Sequence, residues 1–222
     1  MSIKDRLQKL KQSIPDHVQL IAVSKTKPKE DILEAYHSGH LDFGENKAQD
    51  MNEKQGMLPE DIRWHFIGHL QTNKVKYVTP YARLIHSVDS IKLLGEINKH
   101  AYKNKRIVDC LLQFHIATEE SKFGLNLREA RSILACDYFQ SLKNVRIVGV
   151  MGMSTLTDDK EMVRNEFRHL KSCFDELKAE FYPKEDFFKE ISMGMSGDYQ
   201  IAIEEGSTMV RIGSSIFGTR NV

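Results

Sequence analysis

Short apolar segments rich in β-branched residues alternate with amphipathic helical segments along this chain. The apolar segments are "VQLIAVS" from Val18, "LDF" from Leu41, "WHFIG" from Trp64, "LIHSV" from Leu84, "IVDCLLQF" from Ile107, "VRIVGVM" from Val145, "EISM" from Glu190 and "TMVRIG" from Thr208. Strict alternation of strand and helix predicts right-handed βαβ units and a parallel sheet. Eight such units favour an α/β fold that closes into a single (β/α)₈ TIM barrel, with an open doubly wound sheet as the alternative.

The helical segments have recognisable start and stop signals. Pro28 predicts the start of one helix, which ends at Gly39. Asp89 or Ser90 is suited to cap a second helix. The longest helix is predicted to begin near Asp158 and to end before Pro183, because apolar residues recur there at steps of three and four.

The composition of the chain limits the classes of function it can have. The chain has 222 residues and no linker rich in glycine, proline and serine, so we predict one domain over residues 1–222. The 32 basic and 31 acidic residues nearly cancel, which argues against a nucleic-acid partner. The three cysteines form no CxxC pair, which argues against a disulfide framework or a zinc site and for the cytoplasm. No segment has the pattern of a signal peptide or a membrane span, so we expect an unexported protein without membrane contact.

Glycine and serine are concentrated in the segments that follow the last two predicted strands. In a TIM barrel the active site lies at the carboxyl ends of the strands, and the loops after strands 7 and 8 commonly hold phosphate. Here those loops are "MGMSGD" and "RIGSSIFG", in which Ser196, Ser214 and Ser215 supply hydroxyls. They predict a phosphate cradle, although glycine and serine also form ordinary tight turns.

Lys25 lies at the end of the first predicted strand. Alternation along the strand places it on the same face as Ile21 and Val23, which in a barrel is the interior. Partial desolvation at the barrel mouth would lower the lysine pKa, and a neutral amine can attack a carbonyl to form a Schiff base. The alternative is a lysine that reaches solvent or pairs with an acid such as Glu45.

A phosphate cradle opposite a lysine that can form a Schiff base is the combination that pyridoxal 5′-phosphate requires. No HExxH, Walker or GxSxG motif occurs, and no Cys/His cluster has metal spacing, so no metal site is predicted. His65, His69, His86 and His115 lie near predicted strand ends, where a lone histidine is more often a hydrogen-bonded neighbour than a ligand. The segment "EESKFG" from Glu119 is either a functional loop or a solvated turn.

Several ordered motifs give the chain a family resemblance. They are "AVSKTKP", "FGEN", "WHFIGHLQTNK", "SVDS", "EESKFGL", "SMGMSGD" and "VRIGSSIFG". The match runs from about Val18 to Gly218. In this order they resemble the pyridoxal phosphate homeostasis proteins, a family related to the N-terminal barrel of alanine racemase. The resemblance implies a single barrel that holds pyridoxal phosphate as a Schiff base on Lys25.

The resemblance also implies which residues bind the cofactor. Phosphate contacts would come from Ser196 with the backbone of Met195 and Gly197, and from Gly213 and Ser214. Asn46 would lie at the same mouth. Arg211 would face either the pyridine nitrogen or the phosphate. An arginine beside that nitrogen would keep it unprotonated, because two positive charges in a low-dielectric pocket repel.

The chain departs from the family pattern at a few positions. Gly152 stands where many members have a threonine, which removes any cofactor contact from that hydroxyl. Phe114 and His115 stand where members commonly have a β-branched residue and asparagine, so the pocket wall is expected to differ there.

The resemblance implies a carrier or buffer in intracellular pyridoxal phosphate homeostasis, without catalytic turnover and with no catalytic residue. Apo-enzymes that use the cofactor would be its partners, and a monomer is expected. The alternative is a small amino-acid racemase or related enzyme that uses Lys25 as one base. Racemisation needs proton donors on both faces of the cofactor, and in alanine racemase one comes from a second domain, whereas this sequence ends just after the eighth predicted strand.

Overall fold

The computed structural model describes residues 1–118 and 123–218. Its eight strands form one closed parallel barrel in sequence order. The strands are β1 (Gln19–Val23), β2 (Asp42–Glu45), β3 (Arg63–Phe66), β4 (Ala82–Val88), β5 (Val108–Phe114), β6 (Val145–Gly152), β7 (Glu190–Ser192) and β8 (Met209–Ile212).

Helices follow the strands and surround the barrel. They are α1 (Ile3–Gln12), α2 (Lys29–His37), α3 (Ala48–Gln55), α4 (Val75–Val78), α5 (Ile91–Lys103), α6 (Leu127–Ala135), α7 (Asp137–Ser141), α8 (Lys160–Phe181), α9 (Tyr199–Glu204) and α10 (Ser214–Phe217). A short 3₁₀ helix covers Thr72–Lys74. The predicted (β/α)₈ barrel is therefore confirmed, and the open sheet is wrong because β1 pairs with β8.

Helix boundaries agree with the punctuation in the sequence. Pro28 occupies the N-cap of α2, and Gly39 follows that helix with a φ of +79°. Ser90 caps α5 by accepting a hydrogen bond from the N–H of Leu93. Asp159 caps α8, one residue after the predicted start.

Strand β2 extends further than its apolar pattern predicts. Its residues pair with β3 as far as Glu45, although glycine and glutamate are poor strand formers. A Cβ on Gly44 would lie 3.1 Å from side-chain atoms of both Ile21 and Ile67. Gly44 thus lies where neighbouring side chains crowd the sheet, and packing overrides its propensity.

Two apolar layers enclose the sheet. The larger lies between strands and helices and includes Trp64, Phe167 and Leu170. The smaller cluster contains side chains from four strands, namely Leu84, Leu111, Val148, Met151 and Met209. Within the described part of the chain, no helix combines the length and the apolar character needed to cross a membrane.

Gly149 lies at an irregularity in β6, where the register with β5 shifts between Cys110 and Leu111. A Cβ at Gly149 would lie 1.8 Å from the carbonyl oxygen of Glu190, so the backbones of β6 and β7 approach too closely for a side chain. We expect Gly149→Ala to lower the free energy of unfolding by about 3 kcal/mol or more, measured by urea denaturation.

The matched control is Gly56→Ala. A Cβ there would lie 3.7 Å from its nearest neighbour, the carbonyl oxygen of Glu53, which is an ordinary contact. We expect this variant to change the free energy of unfolding by about 0.5 kcal/mol or less. Equal effects of the two substitutions would contradict the close approach at Gly149.

Candidate binding site at the barrel mouth

A cavity of about 520 Å³ opens at the carboxyl ends of the strands. Its volume falls in the range of about 300–1,000 Å³ that is usual for small-molecule sites. The structure brings every residue predicted to bind a cofactor into the lining of this one cavity: Lys25, Asn46, Met195, Ser196, Gly197, Arg211, Gly213 and Ser214.

Lys25 lies in a tight turn that begins where β1 ends. The N–H of Ser24 donates to the carbonyl oxygen of Gly44 at 3.0 Å, and the N–H of Lys27 donates back to Ser24 at 3.0 Å. Thr26 has a φ of +63°, which is unfavourable for a β-branched residue. The chain therefore turns sharply at Lys25, so that this side chain remains at the cavity wall while Pro28 leads into α2.

A buried ion pair stabilises this turn. The Glu45 carboxylate accepts hydrogen bonds from Lys54 Nζ at 2.7 Å and from Ser24 Oγ at 2.6 Å. Lys54 also donates to the carbonyl oxygen of Ser24 at 2.9 Å. Burial raises the pKa of Glu45, and the contacts with Lys54 and Ser24 oppose that rise. No pattern in the sequence marks Lys54, because only the packing of α3 against β2 brings it to the turn.

The sequence "GMS" occurs twice, at residues 152–154 and 194–196, and both copies contribute to the cavity wall. Asp198 accepts a hydrogen bond from the Met195 N–H at 2.5 Å and another from Ser154 Oγ at 2.6 Å. One carboxylate thus closes the loop after β7 and ties it to the loop after β6. The Met195 N–H is occupied by this contact, so Met195 contributes cavity wall rather than a donor.

Other donors in these loops remain available. Within residues 1–118 and 123–218, the backbone N–H groups of Ser196, Gly197 and Ser214 and both serine hydroxyls donate no hydrogen bond. All three residues line the cavity. Such a group of donors is suited to an anion with several oxygens.

Asn46 adds a polar atom without a partner. Its Oδ1 is buried and accepts no hydrogen bond within the described residues. The loop after β3 fixes its position, because a Cβ on Gly68 would lie 2.1 Å from the carbonyl oxygen of Asn46. No pattern in the sequence marks Gly68, since only a structure reveals such a close approach.

Arg211 forms the deep wall of the cavity and is only 4% exposed. Its Nη1 donates to the Ser192 carbonyl oxygen at 2.8 Å and to Ser192 Oγ at 2.6 Å, while Nη2 donates to the Gly152 carbonyl oxygen at 3.0 Å. Burial lowers the pKa of Arg211 to about 10, and the charge of Asp198 opposes that change. The guanidinium is therefore still a cation at neutral pH, fixed against β6 and β7.

Comparisons with known proteins agree with this geometry. The sequence profile of the alanine racemase N-terminal domain matches residues 1–221. The pyridoxal phosphate homeostasis protein of Aquifex aeolicus is 41% identical over 203 residues, which cover 91% of this chain and 87% of that protein. The pyridoxal phosphate homeostasis protein of Vibrio alginolyticus is 39% identical over 212 residues, which cover 93% of this chain and 88% of that protein. The chain belongs to the pyridoxal phosphate homeostasis protein family, within the alanine racemase N-terminal domain fold.

Solved structures of similar proteins extend the match to three dimensions. PipY of Synechococcus elongatus, solved with pyridoxal phosphate bound, superposes with a TM-score of 0.88 at 34% identity and covers 98% of this chain and 100% of that one. Alanine racemase of Clostridium difficile has a TM-score of 0.70 at 12% identity, a likeness of fold alone. The chain spans 57% of that racemase's length.

The structure explains the departures from the homeostasis protein pattern. A Cβ at Gly152 would lie 2.7 Å from Ile116 Cδ1 and 2.9 Å from Leu170 Cδ2, so a side chain there would point into the packing against α8 rather than into the cavity. Phe114 is buried in the layer between strands and helices. Neither Gly152 nor Phe114 lines the cavity. Of the "EESKFG" segment, residues 119–122 lie outside the described residues.

Two buried histidines contact Asp42 at the other end of the barrel, and a third contacts one of them. His65 Nε2 lies 3.1 Å from Asp42 Oδ1, and His40 Nε2 lies 2.9 Å from the Asp42 carbonyl oxygen. His86 Nε2 lies 3.0 Å from His65 Nδ1. The expectation that strand-end histidines are hydrogen-bonded neighbours therefore fits His65 and His86.

Burial keeps these histidines neutral. It lowers the pKa of His65 and, with the charges of His65 and Arg211, lowers the pKa of His86 further. Burial also lowers the pKa of His40 to about 4, and the charge of Lys11 acts in the same direction. Below the unfolded pKa of about 6.5 the unfolded chain binds protons at these rings that the folded chain does not, so stability falls as pH falls.

His40 provides a quantitative test. With a pKa of about 4 when folded and about 6.5 when unfolded, it should cost about 2 kcal/mol of stability between pH 7 and pH 5. We expect His40→Gln to lose about that much less stability than the wild type over this interval, measured by urea denaturation at both pH values. His37→Gln is the exposed-histidine control. Equal pH dependence of the wild type and His40→Gln would contradict the burial effect.

Proposed function

We propose that this chain binds pyridoxal 5′-phosphate in the mouth cavity and serves intracellular pyridoxal phosphate homeostasis as a carrier or buffer. The observation that carries the proposal is the composition of one cavity. It combines the amine of Lys25, the donors of Ser196, Gly197 and Ser214, and the buried cation of Arg211. The names of the curated relatives and the loaded PipY structure support the same cofactor.

The residues present fit the cofactor. A phosphate needs several hydrogen-bond donors, and the loops after β7 and β8 leave such donors without partners in the described residues. The ring carries polar substituents, and Asn46 Oδ1 is a buried acceptor that lacks a donor. Leaving such an acceptor unpaired costs free energy, which a ligand hydroxyl would recover.

Each residue then has a physical role. Pyridoxal phosphate, when bound, supplies an aldehyde and an electron-withdrawing ring. Lys25 is the amine that holds the aldehyde covalently. Ser196, Gly197 and Ser214 bind the phosphate, and Asn46 orients the ring. Arg211 would lie toward the ring rather than the phosphate, because its hydrogen bonds anchor it to Ser192 and Gly152 on the strands, whereas the phosphate donors belong to the loops.

Arg211 also favours a carrier over an enzyme. A guanidinium opposite the ring nitrogen keeps that nitrogen unprotonated and weakens the electron withdrawal on which amino-acid chemistry depends. Of the described residues that line the cavity, none is a tyrosine, a histidine or a cysteine. A tyrosine or histidine that could serve a racemase as its second proton donor is therefore not among them, and Lys27, Asp158 and Asp198 are the other titratable groups there besides Lys25 and Arg211.

The partners and setting follow from the carrier role. Apo-enzymes that require pyridoxal phosphate would receive the cofactor, and we place the protein in the cytoplasm as a monomer. The three cysteines are free thiols, as expected in a reducing compartment. A racemase or related enzyme remains the alternative, and turnover measurements separate the two.

Covalent attachment gives the first test of this function. We expect the protein to turn yellow with pyridoxal phosphate, and borohydride to fix the chromophore to the peptide that contains Lys25. Lys25→Ala should lose all borohydride-resistant label in mass spectrometry. Lys27→Ala is the matched control, because Lys27 is another amine in the same cavity and should keep the label. Label that persists in Lys25→Ala and is lost in Lys27→Ala would reassign the attachment.

Proton exchange at Cα gives the second test. L-alanine incubated with the loaded protein in heavy water should take up no more deuterium at Cα than it does with free pyridoxal phosphate, because Arg211 suppresses the electron withdrawal and none of the described residues that line the cavity is a tyrosine or a histidine. Transfer of the cofactor to an apo-enzyme should restore that enzyme's activity. Exchange at an enzymatic rate that disappears in Lys25→Ala would replace the carrier with the racemase alternative.

A further inference from the structure

A continuous chain of hydrogen bonds connects Arg211 to the opposite end of the barrel. Arg211 Nη1 lies 2.6 Å from Ser192 Oγ, and Ser192 Oγ lies 2.9 Å from His86 Nδ1. The chain continues from His86 Nε2 to His65 Nδ1 at 3.0 Å and from His65 Nε2 to Asp42 Oδ1 at 3.1 Å. Each of its five residues is at most 5% exposed. None of the four beyond Arg211 lines the mouth cavity.

The two ends of the chain fix its direction. A carboxylate only accepts, so His65 Nε2 carries the proton toward Asp42, and His65 Nδ1 must then accept from His86 Nε2–H when both rings are neutral. His86 Nδ1 therefore accepts from the Ser192 hydroxyl. The guanidinium only donates, so Ser192 Oγ accepts from Arg211. Every donor thus points from Arg211 toward Asp42.

The far end of the chain is anchored as well. Asp42 accepts from Gln19 Nε2 at 2.7 Å and from an Arg63 nitrogen at 2.6 Å. Burial alone would raise the pKa of Asp42, but the hydrogen bond from His65 and the charge of Arg63 outweigh it and hold the pKa below its usual value. Asp42 is therefore a permanent acceptor, and the histidines keep the orientation it imposes.

Arg211 is thereby held without a direct counterion. Among the described residues, no carboxylate lies within ion-pair distance of its guanidinium, and its partners are two carbonyl oxygens and Ser192 Oγ. Hydrogen bonds aligned head to tail polarise one another, so the chain strengthens Ser192 Oγ as an acceptor. The guanidinium is fixed, yet its positive charge is not neutralised within the wall.

We propose that Ser192, His86, His65 and Asp42 are positioning residues that fix the Arg211 guanidinium toward the ring of the bound cofactor. This inference rests on the proposed function. It adds that the state of the cofactor ring depends on residues deep in the barrel that do not touch the cofactor. Breaking the chain of hydrogen bonds should let the guanidinium move. Cofactor binding should then weaken, and the ring nitrogen of the cofactor should take up a proton.

Matched substitutions on and off the chain test the inference. Ser192→Ala removes the hydroxyl next to Arg211, whereas Ser207→Ala removes another buried hydroxyl, one that donates to the carbonyl oxygens of Met193 and Met209. His86→Asn interrupts the hydrogen-bond chain at its centre, whereas His40→Asn alters a buried histidine that touches only the Asp42 backbone carbonyl and is no link between Arg211 and the Asp42 carboxylate. The comparison separates an effect on Arg211 from a general loss of packing.

Two measurements apply to each variant. The first is the dissociation constant for pyridoxal phosphate, from the absorbance of the bound cofactor. The second is the ¹⁵N chemical shift of the ring nitrogen in ¹⁵N-labelled pyridoxal phosphate, which distinguishes the protonated from the unprotonated ring. The ring nitrogens of His65 and His86 are observed separately by NMR in the cofactor-free protein, and both should carry the proton on Nε2.

We expect Ser192→Ala and His86→Asn to raise the dissociation constant about tenfold, as for the loss of one hydrogen bond to a charged group, and to move the ring ¹⁵N signal toward the protonated position. Ser207→Ala and His40→Asn should stay within about twofold of the wild type, with an unchanged signal. Should Ser192→Ala fail to fold, the His86→Asn and His40→Asn pair decides by the same criteria.

Three outcomes would overturn the inference. On-chain and off-chain variants that change binding and the ring signal equally would show that Arg211 does not depend on the chain. A proton on Nδ1 of either histidine would contradict its direction. A wild-type protein that takes up no pyridoxal phosphate would remove the proposed function and this inference together. The first two outcomes, in a wild-type protein that does bind the cofactor, would remove the inference alone.

Discussion

A closed parallel barrel must fill its interior with side chains from all its strands, and this chain fills part of that interior with polar groups. A buried polar atom without a partner costs free energy, so most such atoms are paired. The chain from Asp42 through His65, His86 and Ser192 to Arg211 satisfies each member with a neighbour. The apolar cluster of Leu84, Leu111, Val148, Met151 and Met209 occupies other interior positions. The fold brings these polar groups together, and the carboxylate and guanidinium at the two ends set the direction of the hydrogen bonds.

The mouth cavity depends on the same interior, because Arg211 lines the cavity and is also the end of the polar chain. Above Arg211, the loops are held by their own contacts. Asp198 joins the loops after β6 and β7, and the Glu45–Lys54 pair holds the turn that carries Lys25. A covalent amine, a group of phosphate donors and a buried cation are thus held by three separate local structures. Preorganisation of this kind lowers the entropic cost of binding.

Much of the fold was predictable from the sequence, because strand and helix patterns are local. Pro28, Ser90 and the region of Asp158 mark helix starts as expected. The cavity residues were also within reach, since strand ends meet at one mouth and the motif order indicates the family. Lys54, Gly68 and Asp198 were missed because their contacts join elements that only the three-dimensional packing brings together.

The contact between His65 and His86 could not be predicted from local sequence patterns. His65 and His86 are 21 residues apart, and nothing in either segment indicates that their rings meet. Strand alternation predicts that both point inward, but their contact depends on the relative register of β3 and β4, which shifts at Trp64 and His65. One further residue of shift would turn a side chain to the other face of the sheet. The contact between the two rings, and with it the anchoring of Arg211, is consequently a property of the barrel's register rather than of any motif.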